Sequence, residues 1–192
     1  MNKNIKTIAY QGIIGSNSHA AALDMAIKLE LGEVNTIEAV SSMGVVNALK
    51  NGEADYGVVA VHNIIAGEVI ETTKALEGFA YTVLGELSLP IHHCIFTKNA
   101  GNKIEVVASH IQALGQCESY LRVNYPEAEQ QELVDTAIGA KYLREGKLPE
   151  TTAVICRKNA GEIYELALVA ENIEDDKENE TQFILIQPTE RA

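Results

Sequence analysis

The chain has 192 residues, of which 46% are hydrophobic, so it is long enough to bury the core of one globular domain or of two small lobes. Its 15 basic and 27 acidic residues give a net charge of −12, which argues against nucleic acid or an anionic membrane as a partner. The N-terminus lacks the apolar core of a signal peptide and the three cysteines are too few for a disulfide framework, so we expect a cytoplasmic protein.

The first half of the chain alternates predicted strands and helices. Residues 7–10 predict a strand, and a loop with Gly12 and Gly15 leads to a helix that starts near Ser18. Such a loop presents backbone N–H groups that can bind an anion. The loop does not match the glycine-rich phosphate-binding motifs, and an ordinary strand-to-helix connection explains it equally well.

A central strand is predicted at residues 56–61, whose near-continuous apolar run is typical of burial on both faces. It follows a predicted strand at 35–40 and a helix at 44–51. His62 and Asn63 come at its end, where open α/β sheets bind their ligands. A single histidine at a strand end is more often structural than catalytic.

The second half repeats the alternation. Residues 82–97 are long for one strand and contain Pro90, which predicts two strands or one bent segment. Further strands are predicted at 105–108, 132–134 and 151–156, and a last strand begins near Thr181 after an acidic segment. Further helices are predicted at 111–123, at 137–144 with an N-terminus at Asp135-Thr136, and at 159–165. These elements predict two α/β lobes.

The sequence contains few of the motifs that metal sites or hydrolase active sites require. His92 and His93 are neighbours that point to opposite faces of a strand, and no H-E-x-x-H or C-x-x-C spacing occurs, so we predict no metal site. The G-x-S-x-G nucleophile motif is absent, and Ser109 and His110 are adjacent rather than paired across a site. Cys117 lies in an apolar part of a predicted helix, which favours a buried thiol over a nucleophile.

Several segments are informative together. They are Ile8-Ala9-Tyr10-Gln11-Gly12 with Gly15-Ser16 and Ser18-His19-Ala20-Ala21, residues 52–63, Gly85-Glu86 with Leu89-Pro90-Ile91-His92-His93, Ser109-His110-Ile111-Gln112-Ala113-Leu114-Gly115-Gln116-Cys117, Asp135-Thr136-Ala137, and Asn179-Glu180-Thr181-Gln182-Phe183. Over nearly the whole chain they resemble the catalytic domain of prephenate dehydratase. Each segment alone is modest evidence. Their shared order and spacing make the resemblance specific.

The resemblance implies a fold similar to a type II periplasmic binding protein, with two α/β lobes and the active site in the cleft between them. The expected lobes are residues 1–86 with 176–192, and residues 87–175. It also implies a cytoplasmic homodimer that converts prephenate to phenylpyruvate in phenylalanine biosynthesis, releasing water and carbon dioxide without a cofactor. The regulatory amino-acid-binding domain that often follows this domain is not expected in the chain.

The resemblance further implies a set of site residues. Thr181 is the expected catalytic residue, which donates or relays a proton to the departing hydroxyl. The expected substrate-binding residues are Ser16, Asn63, Ser109, Gln116, Thr136, Gln182 and Phe183. Backbone N–H groups near Ser16, Ser109 and Thr136 are expected to bind the substrate carboxylates.

The chain also departs from the family pattern beside these residues. His62 and Ile64 stand where the family has glutamate and serine, and Gln182 stands where it has arginine. One hypothesis is a working dehydratase in which His62 replaces the lost charge or donates a proton near neutral pH. The alternatives are a relative that binds prephenate or a similar carboxylate without turnover, and an enzyme that decarboxylates prephenate without dehydrating it. If Gln182 is a weakened version of the arginine, Gln182→Arg is expected to raise activity.

Overall fold

The computed structural model describes residues 5–189. Its strands, in chain order, are β1 (Lys6–Tyr10), β2 (Val34–Glu38), β3 (Tyr56–Asn63), β4 (Gly67–Glu68), β5 (Tyr81–Pro90), β6 (Cys94–Thr97), β7 (Val106–Ser109), β8 (Glu129–Glu132), β9 (Thr152–Cys156), β10 (Ala167–Ala170) and β11 (Glu180–Pro188). Its helices are α1 (Asn17–Lys28), α2 (Ser42–Lys50), α3 (Ile70–Leu76), α4 (Ile111–Gln116), α5 (Glu118–Asn124), α6 (Thr136–Arg144) and α7 (Lys158–Ile163).

The described chain divides into two compact units. Unit 1 contains residues 5–13, 17–90 and 179–189, and unit 2 contains residues 14–16 and 91–178. Each unit has its own sheet and its own buried core. The predicted α/β class is therefore present in each unit. Within residues 5–189, no helix combines the length and the apolar character that crossing a membrane requires.

The sheet of unit 1 is mixed. Its strand order is β2-β1-β3-β11-β5, with β4 paired to the end of β3. Strands β1, β2 and β3 are parallel, whereas β11 runs antiparallel between β3 and β5. The start of β11 therefore lies beside the C-terminal end of β3, the end at which parallel α/β sheets carry their ligand sites.

Both faces of this sheet are covered by helices. On one face Tyr10, Met25 and Phe183 belong to one buried cluster, and on the other Val45 and Ile186 belong to a second. This two-sided burial explains why β3 and β11 are almost continuously apolar.

Helix α2 shows how the sequence sets local packing in unit 1. The hydroxyl of Ser41 caps its first turn by accepting from Gly44 N at 3.0 Å. The helix also approaches β3 closely, because a Cβ at Gly57 would lie 2.6 Å from Val45 Cγ1. Val40, in the connection before α2, has φ +58°, so β2 ends earlier than the predicted strand at 35–40.

The sheet of unit 2 has the order β10-β6-β9-β7-β8. Strand β7 is parallel to β8 and β9, whereas β6 is antiparallel to β9 and β10. Its core includes Ile95, Val107, Leu114, Leu121 and Ile155. Strand β10 lies in a segment for which the sequence predicted no strand.

Two segments whose predicted structure was open or simpler are divided in the structure. The segment 82–97 forms two strands, and these belong to different sheets. The single helix predicted over 111–123 is divided into α4 and α5 at Cys117. The carbonyl of Gln116 accepts from Asp175 N at 2.7 Å, and the Asp175 carboxylate accepts from Ser119 N at 3.1 Å. Asp175 thus ends α4 and caps α5, which a local helix pattern does not reveal.

Candidate active site

In unit 1, Asn63 and Thr181 are brought together by strand pairing. Thr181 is the register partner of Asn63 between β11 and β3. The Asn63 side-chain Nδ2 lies 2.8 Å from Thr181 Oγ1, 2.8 Å from Asn179 Oδ1 and 2.9 Å from Glu180 O. The three acceptors share the two hydrogens of one amide group. Asn63 therefore organises the whole start of β11.

The orientation of the Asn63 amide is set by its other end. Its Oδ1 accepts from the backbone N–H groups of Ile65 at 3.1 Å and Ala66 at 2.8 Å. Backbone N–H groups only donate, so the oxygen must face them and the NH₂ group must face Thr181. The turn after β3 thereby fixes which atoms meet the threonine.

This arrangement determines what the Thr181 hydroxyl can do. Because Asn63 Nδ2 can only donate, Oγ1 accepts that hydrogen bond and keeps its own hydrogen for another acceptor. No described residue accepts this hydrogen. The hydroxyl can therefore donate its hydrogen to an oxygen of a ligand.

His62 and Gln182 lie on the other face of the same strand pair. They are register partners one position away from Asn63 and Thr181, and successive side chains of a strand point to opposite faces. The Gln182 amide donates to Glu86 Oε2 on β5 at 3.1 Å. The structure thus separates the predicted pair Thr181 and His62, whose catalytic roles stay predictions.

Phe183 lies in the core and is 1% exposed. It packs in the same buried cluster as Ile8, Tyr10 and Met25. Phe183 lies two residues after Thr181 and therefore on the same face of β11. Its predicted contact with a substrate stays a prediction.

In unit 2, Ser109 is the fully buried last residue of β7. Its Oγ donates to Ile155 O at 2.7 Å, which links β7 to the neighbouring β9. The hydroxyl hydrogen is committed to this bond, so the side chain can serve a ligand only as an acceptor. A substrate carboxylate would need a different donor nearby.

Gln116, the last residue of α4, is held by a buried network. Its Oε1 lies 2.8 Å from Nε2 of His93, which is 4% exposed. The Glu174 carboxylate accepts from His93 N at 2.8 Å and contacts His92 Nδ1 at 3.0 Å. Burial alone would raise the pKa of Glu174, but these hydrogen bonds and Lys177 hold it below its usual value.

Thr136 is the first residue of α6, where the sequence predicted a helix N-terminus. The Asp135 carboxylate caps this helix by accepting from Ala137 N at 2.8 Å and Ile138 N at 3.1 Å. Burial raises the pKa of Asp135, and the two N–H groups oppose that shift. Two N–H groups at this helix N-terminus, where a substrate carboxylate was predicted to bind, therefore already donate to the carboxylate of Asp135.

Ser16 lies in the short segment 14–16 that belongs to unit 2 and is 4% exposed. The adjacent Gly15 has φ +88°, and a Cβ there would come within 2.9 Å of Ala160 Cα. Only glycine allows both the backbone conformation and this close approach. Packing against α7 therefore explains why the loop contains Gly15. The predicted role of Ser16 in substrate binding stays a prediction.

Sequence reasoning did not single out Asn179, His93 or Glu174 as members of these networks. Asn179 is 1% exposed, and no described residue accepts from its buried Nδ2. His93 and Asn179 lie inside segments that carry the family resemblance, whereas Glu174 lies in the acidic segment before the last strand. An isolated polar residue beside an apolar strand does not reveal its hydrogen-bond partner.

The described residues contain no group of three or more histidine, cysteine or acidic side chains arranged to hold a metal ion. The three cysteines are free and buried, and Cys94 is the register partner of Cys156. Burial raises the pKa of Cys117 and of Cys156. These thiols are therefore unsuited to act as nucleophiles at neutral pH, as the sequence predicted for Cys117.

The family model described as prephenate dehydratase matches residues 8–191. A prephenate dehydratase from Methanocaldococcus jannaschii is 42% identical over 131 residues, which are 68% of this chain and 47% of that protein. The chain spans about half the length of the curated relatives it matches.

Solved structures agree on the fold. The prephenate dehydratase from Arthrobacter aurescens, in complex with L-Phe, matches with a TM-score of 0.84 and 25% identity, covering 96% of this chain and 60% of that one. A Bacillus subtilis lipoprotein assigned to methionine binding matches with a TM-score of 0.51 and 12% identity, covering 98% and 85%. The predicted α/β fold, similar to a type II periplasmic binding protein, is confirmed.

Proposed function

The chain belongs to the prephenate dehydratase family, and we propose that it converts prephenate to phenylpyruvate with loss of water and carbon dioxide. Because the chain spans about half the length of its curated relatives, the activity is proposed for the region described here. A homodimer, which rests on the family resemblance, and a cytoplasmic location, which rests on the N-terminal sequence and the cysteines, belong to the same proposal.

The reaction needs one proton and no redox change. The bond between the ring and its carboxylate breaks and releases carbon dioxide, and the electron pair moves into the ring. The bond from the ring to the hydroxyl oxygen breaks at the opposite end, and that oxygen leaves as water after it takes one proton. Formation of the aromatic ring drives both cleavages. The protein must therefore bind a dianion and supply a proton donor at the departing oxygen.

The hydrogen-bonded pair of Asn63 and Thr181 is the observation that carries this proposal. Because Asn63 Nδ2 donates to Thr181 Oγ1, the hydroxyl hydrogen of Thr181 is available for an oxygen of the substrate. A hydroxyl held in this way stabilises the departing oxygen and relays a proton to it as the bond breaks. A positioned proton donor typically accelerates such a step about 10²–10⁴-fold.

The other predicted residues have supporting roles in the proposal. Gln116 is proposed to donate from its NH₂ group, since its carbonyl oxygen is occupied by His93. Ser109 is proposed to act through its position at the end of β7, because its hydroxyl hydrogen is already donated to Ile155 O. Gln182 is proposed to influence the site from the opposite face of β11, through Glu86.

One assay tests the proposal. Purified protein is mixed with prephenate near pH 7.5, and phenylpyruvate is followed by the absorbance of its enolate against a protein-free blank. Saturable formation of phenylpyruvate is expected. Binding of prephenate in calorimetry without any product would instead support a non-catalytic relative. A product that has lost carbon dioxide but kept the hydroxyl oxygen would support the decarboxylase alternative.

A further inference from the structure

His93 is a buried histidine to which the family resemblance assigns no role. It lies immediately before β6, and its exposed fraction is 4%, whereas its neighbour His92 is exposed. The backbone of His93 is held on both sides, because its N–H donates to Glu174 Oε2 at 2.8 Å and its carbonyl accepts from Ile173 N at 3.0 Å. The backbone from which the ring projects is thus held on both sides.

The ring in turn contacts the side chain of Gln116. The Nε2 atom of His93 lies 2.8 Å from Gln116 Oε1. With the amide oxygen on this side, Nε2 must carry a hydrogen, because an amide oxygen only accepts hydrogen bonds. Burial lowers the pKa of His93, although the bond to Gln116 and the nearby Glu174 oppose this shift. A neutral ring has one N–H group, and this contact assigns it to Nε2.

A ring that carries its hydrogen on Nε2 in turn favours this one of the two orientations of the Gln116 amide. A rotation of about 180° would exchange its oxygen and its NH₂ group at little steric cost. With the oxygen bound to His93, the NH₂ group faces away, and no described residue accepts from it. A carboxylate or carbonyl ligand requires a donor at this point and would be repelled by the amide oxygen.

The backbone of Gln116 is anchored to the same segment that holds His93. Gln116 O accepts from Asp175 N at 2.7 Å, and the adjacent Glu174 binds the backbone of His93. Lys177 Nζ donates to Glu174 O at 2.8 Å, which ties this segment together. Residues 173–177 therefore fix the distance between the imidazole and the amide.

We propose that His93 is a positioning residue that orients the Gln116 amide so that its NH₂ group faces an oxygen of the substrate. The inference rests on the proposed function, because it takes Gln116 as a substrate-binding residue. His93 itself does not contact the substrate. Its imidazole acts only through the side chain of Gln116.

The test compares two substitutions of similar size. His93→Gln places an NH₂ donor at the same number of bonds from the backbone as Nε2, whereas His93→Leu removes the donor. We expect His93→Leu to raise KM for prephenate about 10-fold or more, since a bond between a neutral donor and a charged ligand is lost or reversed. His93→Gln is expected to restore most of this loss. Failure of His93→Gln to restore any of it would overturn the proposal.

A double-mutant cycle separates positioning from a general structural role. In a Gln116→Ala background, His93→Leu should cause little further rise in KM, because the side chain through which His93 acts is gone. An equal rise in both backgrounds would overturn the proposal. Circular dichroism melts of the four proteins show whether each variant is folded under assay conditions.

Nitrogen-15 NMR of the histidine rings supplies a readout that does not depend on turnover. The Nε2–H tautomer is expected for His93, and the Nδ1–H tautomer would contradict the inference while leaving the proposed function intact. If the wild-type chain binds prephenate without turnover, the proposed function fails, and the same cycle is measured on Kd by calorimetry. A wild-type chain that neither binds nor converts prephenate would overturn both.

Discussion

The two units hold their predicted site residues in different ways. In unit 1, Thr181 is positioned by Asn63 through strand register, and both residues follow directly from the pairing of β3 with β11. In unit 2, Gln116 is positioned by His93 and by the segment 173–177, across three separate parts of the chain. Strand register is thus enough to place a hydroxyl beside its side-chain donor, whereas an amide at a helix end is held by a network from separate segments.

The largest effect is expected at the hydroxyl of unit 1. Thr181→Val keeps the shape of the side chain and removes its oxygen, so we expect kcat for phenylpyruvate formation to fall about 10²–10⁴-fold. Thr181→Ser keeps the hydroxyl and should retain much of the activity. Steady-state kinetics with prephenate measure both. Full activity in Thr181→Val would remove this residue from the proposed mechanism.

A smaller effect is expected at the residue that positions Thr181. Asn63→Asp replaces the NH₂ donor with an acceptor, so the Thr181 hydroxyl would donate to Asp instead of to the substrate. We expect kcat to fall about 10–100-fold from the loss of this orientation. Asn63→Asp also places one oxygen against the acceptor oxygens of Asn179 and Glu180, which should lower the free energy of unfolding by about 1–3 kcal/mol.

Urea unfolding and steady-state kinetics on the same Asn63→Asp preparation separate these two consequences. A loss of stability with unchanged kcat in the folded protein would show that register alone orients the Thr181 hydroxyl. The contrast between the two units would then become sharper, since only unit 2 would require a side-chain donor.

A moderate effect is expected from pH, and each unit contains one histidine that reports it. Burial lowers the pKa of His19 in unit 1 and of His93 in unit 2. A folded pKa below the unfolded value means that the unfolded chain binds protons more readily. The contribution of these two histidines to the free energy of unfolding is therefore fully present above the unfolded pKa, near 6.5. It is lost as the pH falls from there through the lower folded pKa.

We expect the Tm to fall between pH 7.5 and pH 5.5, by a few degrees for a chain of this size. His19→Gln and His93→Gln should each reduce the fall, as calorimetric melts across this range would measure. An unchanged pH dependence in both variants would show that other groups control it.

The smallest effect is expected at Gln182, which lies on the face of β11 opposite Thr181. Gln182→Arg would pair with Glu86 at the surface, and exposed pairs contribute about 0–1 kcal/mol. We therefore expect kcat to change less than about 3-fold, with Gln182→Met as the uncharged control of similar length. A rise well beyond this, measured by the same assay, would instead support the sequence-based hypothesis that Gln182 is a weakened arginine.

Much of the fold was predictable because the elements are local. The apolar run of β3 and the cap at Asp135 are patterns within a few residues, and the structure contains both elements. Strand β10 was missed because its four residues follow a helix without a clear turn signal and precede an acidic segment. The break between α4 and α5 was missed because its cause, Asp175, lies more than 50 residues away.

In the candidate site, the sequence pattern placed Asn63 and Thr181 at strand ends and Gln116 inside a predicted helix, and it carried the family resemblance. Which atoms face one another depends on the tertiary structure. Asn63 and Thr181 are 118 positions apart, and Gln116 and His93 are 23 apart, so register and loop packing bring each pair together. A hydrogen bond depends on distances of a few ångströms, and a one-residue slip in a strand would turn either partner to the opposite face.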